Sequence, residues 1–196
     1  MMQRLFAKYQ SIGLITASLL VGAVITFTAL PFLTRLYSVH DFGTYGIALA
    51  VVSVLSTIAN LRLDQALLVA EESDKKSLMF EGAAFSLAIS CVAVVVLSFF
   101  LELSMVLAIV SGVMANTLIQ SLYNYQFAAH QEFFCAGLNI FRSLIVVAVQ
   151  LSLPLVLSIS LINSYNVSSV LMVLAVFIYV LKQQLYQVSW NAFKGY

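Results

Sequence analysis

Charge is what this chain has least of: 9% of its 196 residues are Asp, Glu, Lys or Arg, against about 25% in an ordinary soluble domain. So little charge excludes a globule held in water, and with 62% hydrophobic residues and a mean hydropathy of +1.03 the chain is solvated mainly by lipid. The few charges nearly cancel, at a net +1, which points to no nucleic-acid partner and no polyanion-binding surface. Cysteine is confined to Cys91 and Cys135. Neither has a second ligand at metal spacing, and both read as small, buried apolar residues. No His/Asp/Glu metal cluster, Ser-His-Asp set or glycine-rich phosphate loop is found in the polar segments. The chain is therefore not expected to be an enzyme or to carry a metal or cofactor.

What the sequence has instead is long uncharged runs. A bilayer core about 30 Å thick needs roughly 20 apolar helical residues, and stretches free of Asp, Glu, Lys and Arg cover 9–34, 42–61, 82–101, 103–129 and 143–181. The pair 82–101 and 103–129 cannot cross in one pass, since 48 residues would extend about 72 Å, so a turn is expected near Glu102. The last run is too long for one span, and "INSYNVSS" (162–169) interrupts it with polar turn formers. These runs predict an all-α integral membrane protein of six spans, at about 11–34, 43–62, 78–101, 104–128, 135–161 and 168–188. Residues 1–196 form a single six-helix lobe on this reading. The opening run is too long for a cleaved signal peptide and five more spans follow it, so it reads as the first span.

Orientation follows from basic residues, which are in excess on the cytoplasmic side. With the amino terminus inside, that side receives Arg4, Lys8, Lys75, Lys76, Lys182 and Lys194, together with Arg62 and Arg142 on inward-facing helix ends; the outer side receives Arg35 alone. Both termini are predicted to be cytoplasmic. In the first outer hairpin, Pro31 and Arg35 close helix one, and Ser38-Val39-His40-Asp41 opens helix two with a Ser-x-x-Asp capping pattern. A solvated turn accounts for Arg35, His40 and Asp41, with Arg35 free to snorkel to the interface.

Polar residues inside the spans carry the functional content. Ser18, Gly22 and Thr26 recur every four residues in helix one, a small-residue stripe for close helix packing. Helix four repeats Gly112, Asn116, Gln120 and Asn124 at the same interval, with Thr117 and Ser121 beside them; Tyr123, Tyr125 and Gln126 widen the polar surface toward the cytoplasmic end. Amides avoid lipid, so this stripe faces either another helix or a water-filled cavity. Helix five carries Asn139, Arg142, Ser143 and Gln150. If it enters the membrane at Phe133, Arg142 lies about 14 Å deep; if it enters near residue 142, Arg142 is an interfacial anchor. Pro154 should kink the helix or free a carbonyl in the outer half. Arg62 and Asp64, at i and i+2 near the inner mouth, point to opposite sides of a helix and need separate partners; anchoring and substrate roles both fit Arg62. The loop beyond them, "EESDKK" (71–76), reads as solvated.

Taken in order, "LPFLTRLYSVHDFGTYGIALAVVSVLSTIANLRLDQALLVA" (30–70) and "YNYQFAAHQEFFCAGLNIFRSLIVVAVQLSL" (123–153) resemble the polysaccharide-biosynthesis branch of the multidrug, oligosaccharidyl-lipid and polysaccharide exporter superfamily, which includes the O-antigen flippases. The pattern is L-T-R-L-Y, four residues, F-G-x-Y; then L-R-x-D-x-A-[IL]; then a Y-x-x-x-x-x-F connection. The resemblance implies a transporter of two six-helix lobes, of which this chain is the amino-terminal one. It would pass an undecaprenyl-diphosphate-linked oligosaccharide across the bacterial inner membrane for O-antigen or other surface polysaccharide. It also implies that Arg62 and Arg142 hold the anionic head, that Asn116, Gln120 and Asn124 meet sugar hydroxyls, and that Asp64 is an ion or charge partner. Membrane lipids and a second lobe, or a second copy, are the implied partners. Two features depart from the family: members are usually twice this length, and no glycine lies between Gly137 and Gly195. A truncated lobe, or a half that pairs with another protein, is expected. The alternatives are a small-molecule exporter of the same fold and a non-transporting subunit anchored by interfacial aromatics such as Tyr186 and Trp190.

Overall fold

Chain reversal begins with a reciprocal cap. The Asp41 N–H donates to Ser38 Oγ at 3.2 Å, the Ser38 N–H donates to Asp41 Oδ2 at 3.1 Å, and the Ser38 hydroxyl adds a 2.7 Å bond to the same oxygen. Two otherwise orphaned N–H groups are satisfied, as the Ser-x-x-Asp pattern predicts. Helix α1 (Met2–Leu36) ends just before this box and α2 (Val39–Ala59) starts from it. The expected closure at Pro31 is displaced: α1 runs through Pro31, with Arg35 in its last turn.

A computed structural model describes residues 2–59, 63–66, 70, 72–129, 131–157 and 159–194. The side chains of 2–11, 63, 64, 72, 73, 76 and 183–194 lie outside that description. After α2 come a single turn α3 (Leu63–Ala66), then α4 (Glu72–Leu97), α5 (Leu103–Ala128), α6 (Glu132–Leu157) and α7 (Leu161–Lys194). Six of these helices are long and apolar enough to cross a membrane, and no strand occurs among the described residues. The protein is an all-α, multi-pass membrane protein.

Helix α5 is the hub. It packs against α7, α4 and α2, while α6 lies beside α7 and α1 packs mainly on α6. Polar bonds tie these contacts: Ser86 to Thr117 between α4 and α5, Ser111 Oγ to Asn166 Oδ1 at 2.8 Å between α5 and α7, and Asn139 Nδ2 to Ser18 Oγ at 3.2 Å between α6 and α1. A Cβ on Gly22 would meet Ser143 Oγ at 2.6 Å, so Ser18 and Gly22 of the stripe in helix one form the packing seam expected, while Thr26 is exposed and bonds back to the Gly22 carbonyl. The outer surface is apolar instead, with Phe27, Val24, Val92 and Val95 exposed, as lipid contact requires. Cys135 is buried, but Cys91 is exposed on α4, so only one cysteine takes the expected interior position. The segment read as a solvated loop is also different: α4 begins at Glu72, and Lys75 is buried in its first turns. Acidic residues at a helix start favour the helical state through the dipole, which a reading by polarity alone overlooks.

The largest correction concerns residues 162–169. They were expected to turn, yet they form the first turns of α7, with Ile162, Ser164, Tyr165, Ser168 and Ser169 buried. The reversal lies at 159–160 instead, where the Ser160 carbonyl accepts the Ser164 N–H at 3.1 Å, serine being favoured at a helix start. Inside a helix bundle these hydroxyls are satisfied without breaking the helix: Ser168 Oγ donates to the Tyr165 carbonyl at 2.7 Å. The carbonyl expected to be freed by Pro154 is found too. Proline has no N–H to offer the Gln150 carbonyl four residues back, and the Tyr37 hydroxyl donates to that oxygen instead, at 2.8 Å. Ser164 Oγ, 2.9 Å from the same hydroxyl, must then be the donor to Tyr37. Burial, partly offset by the Ser164 bond, raises the Tyr37 pKa above its ordinary value, so the phenol stays protonated and able to donate.

This substitution of partners has a measurable consequence. Tyr37→Phe should leave the buried Gln150 carbonyl unpaired and destabilise the fold by about 1–3 kcal/mol. In a Pro154→Ala background the restored N–H should reclaim that carbonyl, so Tyr37→Phe should cost markedly less there. Unfolding in mixed micelles checks this as a double-mutant cycle; equal costs in both backgrounds would refute the exchange of partners.

Candidate functional site

Among the described spans Arg142 is the one charged side chain near the middle; Arg35, Asp41, Glu81, Glu132 and Lys182 lie toward the ends. α6 is continuous from Glu132, so Arg142 sits ten residues from its start and fifteen from its end, about 15 Å and 23 Å along the axis. A helix continuous from Glu132 is compatible with the deeper of the two placements that the sequence leaves open for Arg142. Asn116 occupies the middle of α5, and because α5 and α6 are consecutive and oppositely directed, the two residues meet: Arg142 Nη2 donates to Asn116 Oδ1. The bond orients the guanidinium but leaves its charge unneutralised, since an amide carries none. Arg142 is nevertheless exposed, although a charge at this depth costs roughly 2.5–3.5 kcal/mol against lipid.

Toward the carboxy-terminal end of α6 from the arginine lies a polar aromatic cluster. Gln150 Nε2 donates to Tyr45 Oη at 3.2 Å, and the Tyr45 and Tyr165 rings meet edge to face at 5.3 Å. Tyr165 closes over Gly112, where a Cβ would come within 2.6 Å of its hydroxyl. The Gln150–Tyr45 bond ties α6 to α2, and the ring contact ties α2 to α7, in a low-dielectric interior where such links are strong.

Toward the amino-terminal end of α6 the character changes. A groove of about 270 Å³ opens between α6 and α7 over a floor of Ile119 and Leu122 from α5. Phe134, Gly137, Leu138 and Phe141 form one wall, and Met172, Ala175 and Val176 the other. Arg142 stands at one end of it and Tyr179 at the other. The Tyr179 hydroxyl accepts a 2.8 Å bond from Gln126 Nε2, and its ring lies 4.9 Å from Phe134.

The amide stripe predicted on helix four is divided by this geometry. A repeat of four residues drifts about 40° per step in a helix of 3.6 residues per turn, so the stripe cannot stay on one face. Gly112 is a packing position, Asn116 holds Arg142, Gln120 is exposed, and Asn124 is buried. Gln126, where that polar surface widens, takes the first of the two alternatives and is a buried link to another helix, α7. The structure thus brings Arg142 and Asn116 together, leaves Gln120 one turn away on an open surface and takes Asn124 into the interior. Arg62 and the side chain of Asp64 lie outside the described residues. His40 and Asp41 line a second cleft of about 290 Å³ at the end of the bundle that holds the α1–α2 reversal, with Glu102 and Ser160; Asp41 is already committed to its cap. The residues that sequence reading missed are Tyr45, Tyr165 and the groove walls. Only the L-T-R-L-Y and F-G-x-Y pattern, which contains Tyr37 and Tyr45, signalled any of them.

No family model, curated protein or solved structure matches the chain.

Proposed function

We propose that this chain is one wall of a two-lobe transporter that passes an undecaprenyl-diphosphate-linked oligosaccharide across the bacterial inner membrane, as a step in O-antigen or other surface polysaccharide biosynthesis. The observation that carries the reading is Arg142: exposed at mid-span and oriented by an uncharged amide. Such a residue suits a phosphate-bearing head in transit, because a guanidinium fork matches phosphate oxygens two at a time. Gln120, exposed one turn inward of Asn116, can meet sugar hydroxyls. The ordered motifs over 30–153 support the same family, and the bias of basic residues supports cytoplasmic termini. A second lobe or a second copy would cover the Arg142 face, since rocking of one bundle against another is the general route to alternating access.

The nearly all-carbon lining of the α6–α7 groove favours a second reading, export of an apolar small molecule by the same fold. The two part at Arg142, which such a cargo does not need.

The test combines mass and rescue. The chain, purified in mild detergent for its mass, is introduced into a cell lacking its polysaccharide flippase, alone and with a carboxy-terminal lobe. Restored surface polysaccharide is expected from an assembled species. Restoration by a proven monomer would overturn the half-transporter reading. Failure by a stable, membrane-inserted assembly would overturn this cargo.

A further inference from the structure

The groove between α6 and α7 has three properties that together specify an occupant. Its walls are carbon, from Phe134, Leu138 and Phe141 on one side to Met172 and Val176 on the other. Its one polar tip at the inner end, the Tyr179 hydroxyl, is occupied by Gln126, so the walls offer a ligand dispersion and little else. Its other end is Arg142, with the charge left over after the Asn116 bond. From Phe134 to Arg142 the groove follows α6 for eight residues, about 12 Å.

We propose that this groove holds the hydrocarbon chain of a single-chain lipid phosphate or diphosphate whose head group rests on Arg142. The proposal deepens the transport reading above and rests on its assignment of Arg142 to the anionic head. It adds that the lipid part of the cargo is gripped by this lobe, where it would otherwise be left in the bilayer. At about 270 Å³ the groove falls just below the range of about 300–1,000 Å³ for sites that enclose a whole small molecule. It therefore takes the head-proximal stretch of one chain, and the remainder leaves sideways between α6 and α7. A two-chain phospholipid places its phosphate at the membrane surface; a phosphate at Arg142 sits in mid-membrane, the position of a head in passage. Any lipid tail can lie against an apolar wall, and the unneutralised guanidinium selects the anionic one.

Gly137 makes the idea testable. It stands in the α6 wall, and a Cβ there would meet nothing within 4 Å, so the missing side chain is part of the groove's width and no packing contact depends on it. Gly137→Leu fills the channel without forcing α6 away from a neighbour, and Gly137→Ala barely narrows it. Ala175→Leu fills it from the opposite wall, as an independent variant.

The experiment is native mass spectrometry of the purified chain, in detergent, with farnesyl diphosphate, farnesol, inorganic pyrophosphate and phosphatidylglycerol as probes. Farnesyl diphosphate is expected to bind, with affinity at least tenfold lower in Gly137→Leu or Ala175→Leu and nearly unchanged in Gly137→Ala. Arg142→Gln should lower farnesyl diphosphate binding but leave the weaker binding of farnesol as it was. Wild-type binding by a folded Gly137→Leu and a folded Ala175→Leu would overturn the groove, as would pyrophosphate binding as tightly as farnesyl diphosphate. Phosphatidylglycerol competing on equal terms would overturn the single-chain assignment. If the groove variants lose the probe while Arg142→Ala leaves polysaccharide export intact in the assembled transporter, the chain site stands and the transport reading fails.

Discussion

Arg142→Ala is expected, on the transport reading proposed above, to reduce export of surface polysaccharide by tenfold or more in the two-lobe assembly, while the protein remains in the membrane at close to its normal level. The reasoning turns on two opposed terms. Removing a guanidinium from mid-span relieves a cost of roughly 2.5–3.5 kcal/mol. Losing its bond to the Asn116 amide gives up about 1.5–3 kcal/mol, the usual worth of a hydrogen bond to a charged group. These nearly cancel, so the variant should melt close to wild type. A residue kept for stability would behave otherwise, with function and fold lost together. Arg142→Lys should recover part of the export, because charge survives but the planar fork does not. Asn116→Leu should fall between, since it leaves the charge and removes the group that aims it. Surface polysaccharide and thermal midpoint, measured on the same variants, decide the matter: wild-type export by Arg142→Ala would remove this residue from the mechanism.

How far this site is legible in the sequence depends on whether its physics is local. The hairpin cap at Ser38 and Asp41 depends on four consecutive residues, and the sequence pattern carries it whole. The orphaned Gln150 carbonyl is equally legible, because proline creates it by its own chemistry; that Tyr37 answers from 113 residues away is not. Residues 162–169 mislead because serine and asparagine favour turns in water, whereas in the interior of a membrane bundle their side chains bond to the helix or across it. Polarity there marks a buried face. The four-residue stripe of α5 fails as a single surface for a geometric reason, its drift around the helix, and which of its members meets Arg142 depends on where α6 packs. Arg142 itself stands out as a cation between two apolar runs, but its depth rests on where α6 begins. The groove has no sequence signature at all. It is built from three helices, and its width depends on an absence, the side chain Gly137 lacks.

The contrast between two helical glycines gives the second large effect. Gly112→Val should destabilise the protein severely, by about 3 kcal/mol or more as overpacking at the upper end of its usual range, and Gly112→Ala by about 1–3 kcal/mol. At Gly112 a Cβ would lie 2.6 Å from Tyr165 Oη, 3.0 Å from Tyr165 Cε1 and 3.0 Å from Val52 Cγ2. None of these neighbours can yield easily. Val52 is 1% exposed, and the Tyr165 ring is pinned edge-on against Tyr45, whose hydroxyl takes the Gln150 amide. A push at Gly112 therefore propagates through α2, α6 and α7, the helices that α5 holds in place. The gain from replacing a helical glycine by alanine, about 0.5–1 kcal/mol, is too small to offset this. At Gly137 nothing opposes the same gain, so Gly137→Ala should be neutral or slightly stabilising. Because the nearest obstruction at Gly112 is a hydroxyl, Tyr165→Phe should rescue Gly112→Ala in part and Gly112→Val hardly at all, the ring carbon and Val52 remaining in the way. Unfolding of the single and paired variants in micelles measures each of these differences, and a Gly112→Val protein as stable as wild type would show that the α5 hub is not packed as described.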